Sequence, residues 1–167
     1  MVLFCILLAS AGFIGGCLSP AEHSVPSVDQ SPALTPGQVN YGGTALAVAF
    51  SDDEISTPSP VAKERFLTGL NYLTRYARYN ASLDYFDAAL AIDQNFTAAW
   101  VAKAVALHNM QRFDEAITCY DRALALAPGD AAVWHLKGTT LHDYAKVAES
   151  EECYRRAAEL DSRFGTR

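Results

Sequence analysis

Histidine, cysteine and clustered carboxylates are the side chains here whose types and spacing could do chemistry. His108 and His142 lie 34 residues apart, and His135 precedes His142 by seven. On a helix, seven residues bring two side chains onto one face but separate them by about 10 Å along the axis, at about 1.5 Å per residue. One zinc ion could not easily reach both, so the histidines are expected to be solvated and not metal ligands. Cys119 and Cys153 also stand 34 apart. Equivalent points on neighbouring packed helices are about 8–10 Å apart, beyond the roughly 7 Å Cα limit for a disulfide, so free, partly buried thiols are expected. Asp84 and Asp87, and Glu149, Glu151 and Glu152, read as solvated helix faces. No Gly-rich phosphate loop follows a strand, and no CxxC occurs. With no nucleophile, base and orienting acid in a plausible constellation, the expectation is a non-enzyme without cofactor or metal.

The charge balance points the same way. A formal net charge of −6, with basic residues scattered singly or in short pairs such as Arg155 and Arg156, argues against nucleic acid, which needs clustered Lys and Arg. Half of the residues are apolar and 19% are charged, as in a soluble globular unit.

The elements that must position these residues repeat. Trp134 follows Trp100 by 34 residues, and Phe66 precedes it by the same step. The step also links Leu73, Leu107 and Leu141; Phe86, Tyr120 and Tyr154; Ala89, Ala123 and Ala157; and Ile92, Leu126 and Leu160. Five columns with one period define an internal repeat. Helical apolar spacing predicts helices near 61–77, 81–93, 97–110, 114–126, 131–144 and 148–160. Pro128 and Gly129 punctuate the second copy, proline as a stop and glycine as the turn. Ser82 and Asp114 stand near second-helix starts, where a capping oxygen or first-turn carboxylate is favourable. Lys103 and Lys137 are expected to lay their stems on the surface with the charge in water.

The middle copy, with Trp100, Ala104, Leu107, Phe113, Ala116, Tyr120, Ala123 and Pro128, resembles the tetratricopeptide repeat. The third copy matches well, and the first departs at Phe66, Leu70 and Ser82. The resemblance implies an all-α fold of three tandem hairpins at 62–96, 97–130 and 131–164, forming a short right-handed superhelix. First helices would line a concave groove. Its implied positions are Glu64, Leu67, Asn71, Thr74 and Arg75; Ala98, Val101, Val105, His108 and Asn109; and Ala132, His135, Thr139, His142 and Asp143. That groove has an apolar centre at Leu67, Val101 and Val105 and polar flanks, suited to an extended or helical peptide. The family's carboxylate clamp for chaperone C-termini is not expected. Asn71 matches one clamp position, but Leu67 stands where the first lysine should be, and Ala132 and Leu136 replace the other basic residues. The implied function is non-catalytic binding of a peptide or protein. A structural alternative is self-association through the last hairpin, whose apolar flank at Leu141, Tyr144 and Tyr154 would be exposed or covered by residues 44–50.

Ahead of the repeats, residues 2–14 form a nearly unbroken apolar run, too short to span a bilayer but matching the core of a secretory signal. Ile14-Gly15-Gly16-Cys17 resembles the lipobox of prokaryotic lipoproteins, although a basic stretch before the apolar run is missing. The resemblance implies a signal peptide over 1–16, lipidation of Cys17, and an exported protein held on the membrane by its N-terminal lipid. An uncleaved anchor or an ordinary signal peptide are the other readings. Residues 17–61, rich in Pro, Ser and Thr, are expected to be a disordered spacer; within it residues 44–50 could form a short strand or helix. Asn80-Ala-Ser82 and Asn95-Phe-Thr97 match glycosylation acceptors, both expected in loops.

Overall fold

The computed structural model describes residues 39–40, 47–48, 50 and 55–165; Cys17, the signal over 1–16 and most of the spacer lie outside them. Six helices follow one another: α1 (Pro60–Thr74), α2 (Tyr79–Ile92), α3 (Thr97–Asn109), α4 (Phe113–Leu126), α5 (Ala131–Asp143) and α6 (Val147–Leu160). Two short strands precede them, β1 (Val39–Asn40) and β2 (Ala47–Val48), paired antiparallel with Val39 opposite Val48. A 3-10 turn, Ser162–Phe164, closes the described chain. No helix among the described residues is long and apolar enough to cross a membrane.

Consecutive helices pack as antiparallel hairpins, α1 with α2, α3 with α4 and α5 with α6, and each hairpin stacks on the next through α2–α3 and α4–α5. The helix starts are written in the sequence. Ser59 caps α1, its hydroxyl accepting from the Ala62 amide at 3.3 Å, with Pro60 at the first helical position, where a missing N–H costs nothing. Asp130 caps α5 through the amides of Ala132 and Val133. Asp114 lies in the first turn of α4, but Ser82 is no cap. It is fully buried inside α2 and donates to the Tyr79 carbonyl at 2.7 Å, as Ser150 does to Val147. In both, a hydroxyl of nearly alanine size keeps the hairpin close while satisfying its own proton.

Small residues set that closeness. At Gly138 a Cβ would stand 2.7 Å from the Tyr154 ring. In the first hairpin the role belongs to Gly69, not to the Leu70 column: a Cβ there would meet the buried Phe86 ring at 2.8 Å. The core runs through all three hairpins, with Phe66, Phe86, Phe96 and Tyr120 fully buried. Residues before α1 join it. Ile55 is buried, Phe50 meets Phe66 edge-on at 5.4 Å, and the Thr57 hydroxyl donates to Asp93. Thus part of the expected spacer is built into the first hairpin's packing, and Phe50 lies on that hairpin and not on the last.

The last hairpin is nevertheless covered at its core position. Leu141 is buried, Tyr144 and Tyr154 are half-buried, and the ring of Phe164 in the 3-10 turn packs at a tilt against His135, with centres 5.1 Å apart.

Candidate binding groove

The eleven groove positions read from the sequence fall into three groups. Leu67, Asn71 and Arg75 on α1, and His142 and Asp143 at the end of α5, are exposed. Asn109, His135 and Thr139 are half-buried. Val101, Val105 and His108 on α3 are buried, at 4%, 0% and 5% exposure. The apolar centre expected to meet a partner is therefore open only at Leu67, which is 40% exposed.

His108 is the clearest departure from expectation. It is not a solvated groove side chain but a joint between hairpins. Its Nδ1 lies 3.0 Å from the Thr140 hydroxyl and its Nε2 lies 3.4 Å from the Asp143 carboxylate, both on α5. Its ring meets Phe113 edge-on at 5.5 Å. Thr140 donates its own proton to the Leu136 carbonyl, so it is free to accept from His108 Nδ1–H. Burial holds the imidazole below its ordinary pKa, and the Asp143 charge only partly offsets this. Burial also lowers His135, whose ring packs against Tyr154 at 5.0 Å and against Phe164. The sequence placed these histidines on the right helices but could not show that the following hairpin covers one of them.

Among the described residues no group of three or more His, Cys, Asp or Glu could hold a metal ion. Cys119 and Cys153 are buried free thiols. Burial pushes the Cys119 thiol up to about 11 and raises Cys153 as well, which suits packing residues and not nucleophiles.

The opposite face of the first helices carries a second repeated arrangement. Lys103 donates to Asp87 of the preceding hairpin at 2.5 Å, and Lys137 donates to Asp121 at 2.6 Å. Each ammonium also sits over a tryptophan, 5.8 Å from the Trp100 ring centre and 5.6 Å from that of Trp134. Each indole donates to a carbonyl of the loop before it, Gln94 or Pro128. The lysine charges are thus paired across the stacking interface and are not simply in water, because an aspartate of the previous second helix comes within reach. A shallow cleft of about 510 Å³ opens beside this row, lined in part by Asp87, Trp100, Arg122 and Leu126. Of the two glycosylation sequons, Asn95 lies in a loop, whereas Asn80 is in the first turn of α2.

With this geometry in view, two tetratricopeptide repeat family models match residues 73–139 and 131–164, together more than half of the 167 residues. A search of curated protein sequences returns no match. Among solved structures, the second repeat domain of Spaghetti (RPAP3), bound to the HSP90 peptide SRMEEVD, is similar at TM-score 0.58 and 17% identity, covering 61% of this chain and 94% of that one. The Yersinia enterocolitica type III secretion chaperone SycD, in complex with a peptide of the translocator YopD, gives 0.59 and 17% over 62% and 78%. The Sgt2 domain from Aspergillus fumigatus gives 0.60 and 20% over 66% and 72%.

Proposed function

The chain belongs to the tetratricopeptide repeat family, and on that premise we propose that it is a non-catalytic interaction module that holds an extended peptide of a protein partner along α1, α3 and α5. The observation that carries this reading is the set of exposed side chains at groove positions on α1 and α5, polar apart from Leu67. Leu67, Asn71 and Arg75 are exposed along α1, and His142 and Asp143 are exposed at the end of α5. An extended chain laid there gains apolar burial together with orienting polar contacts at both ends. Two similar structures are described with peptides bound, which supports the same use of the fold. The chemistry of the ligand differs from an acidic C-terminus. Leu67 and Ala132 stand where basic clamp residues would be needed, and the third such position, Leu136, is fully buried.

We propose further that the module works outside the cytoplasm. The apolar run over 2–14 and the Ile14-Gly15-Gly16-Cys17 motif support export, with a lipid on Cys17 anchoring the module to the membrane outside the cytoplasm.

One experiment tests both parts. Affinity capture from the native membrane fraction is run with the full chain and with the double variant Arg75→Glu/Asp143→Lys. The partner should be retained by the first and lost by the second, with far-UV helicity unchanged. Equal capture by the two refutes groove binding. In the same fractionation Cys17→Ser should leave the membrane fraction; its retention there refutes the lipid anchor.

A further inference from the structure

The three hairpins provide an internal control for exposure along the groove. At equivalent places on the three first helices, Leu67 is 40% exposed and His135 half-buried, yet Val101 between them is 4% exposed. At the next such place, Asn71 is exposed and Thr139 half-buried, yet Val105 is fully buried. Stacking between hairpins buries the middle copy more than the outer ones, but it also seals side chains that point away from the groove. The middle helix α3 packs against α1 and α2 of the preceding hairpin, and β2, which is paired to β1, also lies against it.

We propose that the strand pair β1–β2 is a resident occupant of the groove, seated on α3 over Val101 and Val105, which an incoming partner peptide must displace. This rests on the reading that the groove is the partner site, and it deepens that reading by naming the chemistry of the ligand. The occupant's sequence around β2, Thr44-Ala-Leu-Ala-Val-Ala-Phe50, is uncharged, apolar and built largely of small side chains. A competing partner is an extended segment of the same kind. Its backbone takes the place of a strand, and its polar neighbours reach Asn71 and Asp143.

The occupant is held close. Ile55 is buried in the core, Thr57 donates to Asp93, and Phe50 packs on Phe66. Six residues separate Val48 from Ile55, a reach of roughly 25 Å at about 3.5 Å per residue. A short tether of this kind gives an effective concentration of millimolar order. For a segment whose free affinity is about 100 μM, self-occupation would weaken outside binding about tenfold.

The test uses the full chain and its Ala47→Asp/Val48→Asp variant. Successive strand residues alternate between faces, so changing both residues of β2 puts charge on either face of the strand. The probe is a fluorescently labelled synthetic peptide with the sequence of residues 44–50. The variant should bind the probe about ten times more tightly than the unchanged chain. The methyl resonances of Val101 and Val105 should shift in the variant, while that of Val147, exposed on α6, should not. Unmoved Val101 and Val105 methyls, or probe affinities equal within twofold, overturn the proposal. Introducing Leu67→Asp into the variant should weaken probe binding; unchanged binding would place the probe outside the groove and overturn the proposal as well. The partner-site reading fails by a different result, the unchanged capture by Arg75→Glu/Asp143→Lys described above.

Discussion

The turns inside the three hairpins carry a shared backbone cost. Ala77, Gln111 and Ala145 are 34 residues apart and all adopt positive φ, 47°, 60° and 61°. After each, the next amide reaches back across the turn: Arg78 to the Tyr72 carbonyl at 3.0 Å, Arg112 to Leu107 at 2.9 Å, and Lys146 to Leu141 at 2.8 Å. In the second and third hairpins this is the six-to-one bond of a helix C-terminus whose preceding residue is left-handed, a position that glycine usually fills; in the first the bond reaches one residue further back. For a residue with a Cβ the left-handed conformation costs roughly 1–2 kcal/mol. Replacing it by glycine removes that cost but adds roughly 0.4–1 kcal/mol of chain entropy to the unfolded state. All three side chains are exposed, so no packing is lost. Each of Ala77→Gly, Gln111→Gly and Ala145→Gly should stabilise by about 0.7 kcal/mol, and sites so far apart should add, giving about 2 kcal/mol for the triple variant. At about 4 °C per kcal/mol for a domain near 100 residues, Tm should rise by about 8 °C. Thermal unfolding followed by far-UV circular dichroism reads this directly. A triple variant melting within a degree of the parent, or any single variant melting lower, would refute the claim that these turns are strained.

Two further outcomes follow from packing and titration. Gly69→Ala should destabilise by about 1 kcal/mol. The gain in helix propensity, about 1 kcal/mol, is outweighed by overpacking of about 2 kcal/mol, since the new Cβ would stand 2.8 Å from the ring of buried Phe86 and 3.0 Å from the Tyr85 Cβ. Gly129→Ala, where nothing lies within 4 Å, is the control and should be near neutral; urea unfolding of both variants decides the matter. Stability should also fall as pH drops below about 6.5. Burial lowers His108 and His135 in the folded chain, so the unfolded chain, with imidazoles titrating near 6.5, takes up protons first. Their stabilising contribution is complete above that value and is lost progressively below it. His108→Gln, which can still donate to Thr140, should make the fall in Tm between pH 7.5 and 5.5 smaller. An equal fall in both chains would show that His108 does not carry it.

The period of 34 made the helices legible because apolar columns report burial against a partner helix, and burial is what the repeat conserves physically. Every helix lies within about three residues of its expected bounds, the largest shift being the end of α1 at Thr74 in place of 77. Part of what stayed hidden depends on what a neighbouring segment contributes. Gly69 does the work expected of the Leu70 column because Phe86 faces it across the hairpin. The turn at 77, 111 and 145 gave no signal, since none of its residues is the glycine that marks a left-handed position. Gly129, which read as a required turn glycine, does not have a left-handed φ, so other residues could adopt its backbone conformation.

His108 and His142 show why a column is not yet a site. They share one place in the repeat, yet one is 5% exposed and the other is open to solvent. His108 meets Thr140 and Asp143 of the following hairpin, whereas His142 meets no following hairpin among the described residues. Its near neighbour is Asp143, at 3.5 Å. The same side chain thus serves as a stacking joint in the second copy and as part of an open polar rim in the third. Asp143 connects the two, facing buried His108 through one oxygen and His142 through the other. A ligand that engaged Asp143 would draw on the same carboxylate that opposes the desolvation of His108. The polar end of the proposed groove is therefore built on the contact that stacks the second and third hairpins, so a ligand held there would act on how firmly those two hairpins hold together.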